Sequence, residues 1–158
     1  MAKILLGFMG AGKTTIARKL DPDFVDMDAL LEDRLGMPIA RFFEENGEAA
    51  FRQLEEEVLA ELLKTDQVIS TGGGIVISPR NRALLKQNPD NIYLKADFET
   101  LYQRILADKD NQRPLFLNNS KEELLVIFNE RQAWYEEVAS QIVDVSSLNP
   151  DEIIEELR

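Results

Sequence analysis

The sequence predicts an α/β fold in which a five-stranded parallel sheet is covered by helices on both faces. Two observations carry this. Five short apolar runs, centred near Leu5, Val25, Ile69, Tyr93 and Val143, alternate with segments of helical periodicity, the pattern of successive β-α-β crossovers. The first run leads directly into Gly7-Phe8-Met9-Gly10-Ala11-Gly12-Lys13-Thr14-Thr15, a G-x-x-x-x-G-K-T loop that needs a strand before it and a helix after it. With 158 residues the chain is long enough for one domain with its own core and short for two.

Lys3 to Leu6 is the first strand, and Thr14 to Leu20 the first helix, with Ile16, Ala17 and Leu20 on one side. Asp21-Pro22-Asp23 breaks that pattern. Phe24-Val25 then makes a short strand whose end delivers Asp26 and Asp28. Asp28 to Leu35 reads as a helix stopped by Gly36, and Pro38 suits the first turn of the next, which runs to Asn46-Gly47. Glu48 to about Lys64 is a long amphipathic helix with Phe51, Leu54, Val58 and Leu62 as its apolar stripe, and Arg52 lies beside that stripe.

Gln67 to Thr71 is the next strand and ends in Gly72-Gly73-Gly74. Ser78-Pro79 caps a helix to Lys86, Asn91 to Leu94 forms a strand, and Asp97 caps a helix from Phe98 to about Leu106. The stretch 107–119 is polar and carries Arg113-Pro114-Leu115, the pattern of a mobile loop. Ser120-Lys121-Glu122-Glu123 is a capping-box signature for a helix to about Ala139. Gln141 to Val145 is the last strand, and Asn149-Pro150 caps the final helix.

Composition narrows the chemistry. There is no histidine and no cysteine, so a histidine base, a Ser-His-Asp triad, a thiolate metal site and a disulfide framework are excluded. A net charge of −11 opposes binding to nucleic acid or to an anionic membrane. The apolar opening Met1 to Leu6 is too short for a signal peptide. A cytoplasmic protein is expected. No heptad run or long apolar stripe asks for a partner, so a monomer is expected as well.

Chance alone places the four fixed letters of the glycine loop in roughly one chain in two hundred of this length. In such a loop the backbone N–H groups of Gly10, Ala11 and Gly12 point at a polyphosphate, Lys13 reaches its β- and γ-phosphates, and the Thr14 hydroxyl ligates the Mg²⁺ that bridges them. Thr15 reaches towards the α-phosphate. Ligands of parallel sheets lie beyond the carboxyl ends of the strands, where this loop, Asp26-Met27-Asp28 and Gly72–Gly74 all fall.

Read alone, Asp26 and Asp28 are a turn and a helix cap. Beside a Mg²⁺-nucleotide loop, one carboxylate serves the metal and another orients an acceptor hydroxyl or takes its proton. The glycines are either a flexible turn or a bare backbone against which a small ligand lies. Arg52 has Glu55 and Glu56 in helical reach and Arg131 adjoins Glu130, so both arginines read as surface ion pairs or, for a carboxylate acceptor, as bidentate donors. Arg113 is exposed decoration or a lid arginine that swings onto the transferring phosphoryl group.

Taken together, Gly7–Thr14, Phe24-Val25-Asp26-Met27-Asp28, Gly47-Glu48-x-x-Phe51-Arg52-x-x-Glu55, Gly72-Gly73-Gly74, Arg113-Pro114-Leu115 and Arg131-x-x-x-Tyr135 resemble the shikimate kinase family over essentially the whole chain. The resemblance implies a three-layer P-loop kinase fold with sheet order 2-3-1-4-5, a shikimate-binding helical region over about 28–64, and a lid over about 107–119. It implies transfer of the ATP γ-phosphate to the 3-hydroxyl of shikimate, with Mg²⁺ as cofactor. By motif, Asp28 would hold the acceptor hydroxyl, and Arg52 and Arg131 the shikimate carboxylate. Gly73 and Gly74 would line the ring, and Phe43 and Phe51 would wall the pocket. Arg113 would be the lid arginine, Arg104 would stack on adenine, and Asp26 and Ser70 would sit near the metal with Thr14. The connection from Leu20 to Phe24 is shorter than usual for that family, and the span from Arg104 to Arg113 slightly longer.

Overall fold

The computed structural model describes residues 2–108 and 119–157. Five strands, β1 (Lys3–Leu6), β2 (Val25–Asp26), β3 (Val68–Ser70), β4 (Asn91–Lys95) and β5 (Gln141–Asp144), form one sheet in the order β2-β3-β1-β4-β5. Every neighbouring pair is parallel. The crossovers are α1 (Lys13–Leu20), α2 (Met27–Leu35), α3 (Ile39–Asn46), α4 (Glu48–Leu62), α5 (Pro79–Lys86), α6 (Phe98–Ala107) and α7 (Lys121–Val138), and α8 (Pro150–Glu156) closes the chain.

A parallel sheet covered on both faces needs strands that are apolar throughout rather than alternating. Accordingly Ile4, Leu5, Leu6 and Ile69 are completely buried, with Ile92, Tyr93 and Leu94 beside them. Truncating one of these to alanine would cost roughly 2–5 kcal/mol. Local chemistry fixes the helix starts. Ser120 and Glu123 form the expected reciprocal capping box, Asn149 and Glu152 form a second, and Ser78, Asp97 and Asp26 each accept a hydrogen bond from their helix's first turn.

Small shifts from the sequence expectation have local causes. Phe24 N–H is tied to Asp21 O in a turn at 3.0 Å, so β2 starts at Val25, which pairs with Ile69. Pro38 precedes α3 as its N-cap rather than lying inside the first turn. On α4 the buried stripe is Phe51, Glu55, Val58, Leu59 and Leu62, with a carboxylate in its middle and Leu54 only partly covered.

Register decides where the functional groups fall. Leu5 of β1 and Asp26 of β2 both pair with Ser70 at the end of β3. The glycine loop, the Asp26–Asp28 segment and the Gly72–Gly74 turn therefore leave the sheet at one edge. The loop 107–119, apart from its first two residues and its last, lies outside the described residues, and Arg113 with it. Among the described residues no helix is long and apolar enough to cross a membrane.

Candidate active site

The phosphate loop turns with Gly10 at φ 86° and Gly12 at φ 90°, left-handed values that residues bearing a Cβ rarely adopt. Gly12 starts α1 without a side-chain cap, and no acidic residue occupies the first turn. The first N–H groups and the positive helix end are thus left for an anion. Lys13 Nζ bends back over the loop and donates to Gly7 O at 2.6 Å and Phe8 O at 3.2 Å. One residue on, Thr14 Oγ1 lies 3.4 Å from Ser70 Oγ. Thr15 is exposed.

Asp26 ends β2 and caps α2, accepting from Ala29 N–H at 3.2 Å through Oδ1. The hydroxyls of Thr14, in the first turn of α1, and Ser70, at the end of β3, and the Asp26 carboxylate at the end of β2 are hard oxygen donors, and among the described residues no three acidic side chains gather into a protein-built cage. That set fits Mg²⁺, which keeps several waters and takes much of its shell from phosphate. Asp28 lies in the first turn of α2. It is open to solvent on one side, yet the surrounding walls desolvate it and push its carboxyl above the usual range. Lys13 opposes that shift, and Asp26 and Glu32 add to it.

The three consecutive glycines after β3 each face a different group. A Cβ on Gly72 would sit 2.6 Å from Asp28 Oδ1, and one on Gly74 would sit 2.7 Å from Arg52 Nη2. Around the corresponding point of Gly73 lie Arg131 Nη1 at 3.6 Å, Met9 N of the phosphate loop at 3.7 Å and Tyr135 Oη at 3.8 Å. One turn of bare backbone thereby touches the nucleotide loop, the acidic side chain and both arginines.

Arg52 is held firmly. Its Nη1 donates to Gly74 O at 3.2 Å and to Glu55 Oε1 at 3.0 Å, and its Nε meets Glu48 Oε1 at 3.4 Å. The guanidinium lies over the rings of Phe51 and Phe43, at 5.3 and 5.9 Å. Glu55 is only 2% exposed, and burial pushes its carboxyl upward against the pull of Arg52. Arg131 makes no ion pair with an acidic side chain among the described residues. It rests over the Phe8 ring at 5.8 Å. Desolvation lowers its guanidinium pKa and the nearby Arg52 adds to that, the condition in which an arginine gains most from an incoming anion.

The shikimate kinase family model matches residues 9–158. A Streptococcus gordonii shikimate kinase is 54% identical, with 100% of this chain and 99% of that protein aligned.

The chain belongs to the shikimate kinase family.

A Streptococcus thermophilus shikimate kinase is 51% identical over 97% of this chain and 96% of its own length. In structure, a shikimate kinase from Acinetobacter baumannii in complex with shikimate superposes with a TM-score of 0.88 at 33% identity, over 99% of this chain and 89% of that one. The sheet order expected from the family resemblance is the order found.

In this shikimate kinase family member Asp28, Arg52 and Arg131 border the Gly72–Gly74 turn beside the phosphate loop, Lys13 acts on Asp28, and Thr14 lies near Ser70, with which Asp26 pairs. Arg104 lies on the far side of the phosphate loop, where it donates to Gly10 O at 3.5 Å and to Val145 O at 3.1 Å. It bridges the loop to the connection after β5. Gly72, read from sequence with Gly73 and Gly74 as bare backbone, borders Asp28. Two residues given no role of their own from sequence also act here: Glu55 orients Arg52, and Tyr135 donates its hydroxyl hydrogen to Gly73 O. The available signals were helical spacing, Glu55 three positions after Arg52 and Tyr135 four after Arg131.

Proposed function

We propose that the crevice transfers the γ-phosphate of ATP to the 3-hydroxyl of shikimate, giving shikimate 3-phosphate and ADP on the route to aromatic amino acids. The single observation that carries this is the Gly72–Gly74 turn, which abuts the phosphate loop, Asp28 and both arginines at once. A triphosphate on the loop and a carboxylate on Arg52 and Arg131 then leave a hydroxyl beside Asp28, in line with the γ-phosphorus.

In the reaction a bond forms between the shikimate 3-oxygen and the γ-phosphorus, the bond from that phosphorus to the β,γ-bridging oxygen breaks so that ADP leaves, and the hydroxyl proton passes to the Asp28 carboxylate or to solvent. The N–H groups of Gly10, Ala11 and Gly12 orient the β-phosphate, and Lys13 moves from its own loop carbonyls to the β- and γ-oxygens. Thr14 and Thr15 complete the contacts at the helix start. Asp28 aligns the nucleophile, and its raised pKa brings it nearer to neutrality, where a carboxylate accepts a proton more readily. Arg52 and Arg131 fix the acid, Gly73 and Gly74 lie against the ring, and Phe43 and Phe51 form the apolar wall. Arg104 borders the adenine side.

Thr14 and Asp26, with Ser70 beside them, would hold Mg²⁺. When bound, the ion would supply neutralisation of phosphate charge. We place the reaction in the cytoplasm, with ATP and shikimate as the partners and a monomer as the working unit.

The test is ADP release measured with ATP, MgCl₂ and a panel of hydroxy acids and nucleotides. Shikimate-dependent release is expected. Release independent of any acceptor would mark an ATPase switch, and release with gluconate or a nucleoside monophosphate would mark another kinase of the same fold.

A further inference from the structure

Tyr135 lies on α7 at the junction between the two halves of the crevice, and burial leaves it 1% exposed. Its hydroxyl donates to Gly73 O, the carbonyl at the middle of the glycine turn. Its ring packs on Tyr93 of β4 with centroids 5.0 Å apart. The phenol oxygen and Arg131 Nη1 lie within 3.8 Å and 3.6 Å of the same point above Gly73, one helical turn apart on α7. Desolvation raises the phenol pKa well above the ordinary tyrosine range, so the hydroxyl keeps its proton and remains a donor.

Arg131 needs such a neighbour. Arg52 is oriented by Glu48, Glu55 and Gly74 O, whereas among the described residues no acidic side chain pairs with Arg131. What fixes its guanidinium is the Phe8 ring beneath it and the phenol beside it. We infer that Tyr135 is a positioning residue for the acceptor, holding the Gly73 backbone and the Arg131 guanidinium in one fixed relation so that the substrate carboxylate meets a preset donor.

This rests on the reading of the crevice as a shikimate site. It makes Tyr135 act through Arg131 and Gly73, without touching the reacting atoms. Removing only the hydroxyl frees both groups while the ring keeps its place against Tyr93. The cost then falls on acid binding and spares the nucleotide.

The experiment measures shikimate Kd by calorimetry, and shikimate and ATP KM by steady-state assay, for the unsubstituted enzyme, Tyr135→Phe, Tyr93→Phe and Arg131→Ala with and without Tyr135→Phe. Tyr135→Phe is expected to weaken shikimate about tenfold, the loss of one hydrogen bond that orients a charged group, with ATP KM unchanged. Tyr93→Phe, which removes a neighbouring buried hydroxyl, should change neither. On the Arg131→Ala background, Tyr135→Phe should weaken shikimate less than it does alone, because the part of its effect that runs through the arginine is already lost. Tyr135→Met fills the ring's space without a hydroxyl and should repeat the shift if the phenylalanine variant does not fold.

Unchanged shikimate affinity in a folded hydroxyl-free variant would overturn the inference. Equal losses in Tyr93→Phe and Tyr135→Phe, or parallel losses for ATP and shikimate, would also overturn it by making the residue mere packing. Absence of shikimate-dependent turnover in the unsubstituted enzyme would instead overturn the proposed function, and the inference with it.

Discussion

Gly72 leaves its side-chain position empty where a Cβ would stand 2.6 Å from Oδ1 of Asp28. The carboxylate fills that space, so the turn after β3 sets where Asp28 sits. The same turn, two residues on, leaves room for the Arg52 guanidinium at 2.7 Å. Stereochemistry at one strand end thus positions Asp28 and Arg52 together, the two side chains to which the proposed reaction assigns the acceptor hydroxyl and the substrate carboxylate.

Gly72→Ala and Gly74→Ala should separate these two roles. In Gly72→Ala the added methyl meets the end of the Asp28 side chain, which can swing away at little cost in stability, whereas in Gly74→Ala it meets the Arg52 guanidinium, whose displacement loosens the bond to buried Glu55 and should lower Tm as well. Gly72→Ala displaces Asp28 and should lower kcat about a hundredfold, the effect of misplacing a reacting group by an ångström. Gly74→Ala displaces Arg52 and should raise the shikimate KM with a smaller change in kcat. Steady-state kinetics and a thermal melt of both variants check this.

Asp28→Asn should bind ATP normally and lose turnover by two or more orders of magnitude, since geometry survives but the charge that aligns the nucleophile does not. It should also be the more stable protein at neutral pH. Burial raises the carboxyl pKa in the folded state, so the folded protein binds this proton more tightly than the unfolded chain does. The stability contribution of Asp28 then falls as pH rises from the ordinary carboxylate value through its raised one. Melting curves should show the asparagine variant gaining most at neutral pH and above, and losing that advantage in acid.

Arg131→Ala and Arg52→Ala should differ in kind. Removing Arg131 breaks no ion pair among the described residues, so its loss should appear as weaker shikimate binding, about 2–4 kcal/mol, with a small change in Tm. Removing Arg52 strands Glu55, which is 2% exposed and 3.0 Å from it. That variant should lose about 3 kcal/mol of stability as well. The stability loss should shrink at acid pH, because burial already pushes the Glu55 carboxyl upward and a protonated side chain no longer needs the cation. Calorimetry and melts at two pH values distinguish the pair.

Lys13→Met should weaken ATP binding and turnover together while leaving shikimate binding within a few-fold. In the free protein the ammonium donates to Gly7 O and Phe8 O and holds the Asp28 carboxyl down against burial, so its loss should push that carboxyl higher still. Nucleotide affinity is read by fluorescence titration with an ATP analogue.

Much of this was legible in the residues. Strands buried on both faces must be apolar throughout, which made β1, β3 and β4 visible, and the helix starts at Ser120, Ser78 and Asn149 carry their own caps. The phosphate loop announces itself because its chemistry is local. Groups whose meaning depends on a distant partner were harder to see. Glu55 reads in sequence as a surface partner of Arg52, but in the fold it is buried on the inner stripe of α4, while Arg52 reaches on to Gly74 O in the segment after β3. Tyr135 appears in sequence only as the partner of Arg131 in a motif, since its hydroxyl finds Gly73 only after β4 and two further helices have been laid down. Asp26 had two candidate roles, and the structure gives it the helix cap while leaving it beside Ser70.

The most direct measurement is a crystal structure with a non-hydrolysable ATP analogue, Mg²⁺ and shikimate bound together. It should place the shikimate carboxylate on Arg52 and Arg131 and the 3-hydroxyl on Asp28, about 3–3.5 Å from the γ-phosphorus. Shikimate seated in a separate hollow, or with its carboxylate away from both arginines, would contradict the account.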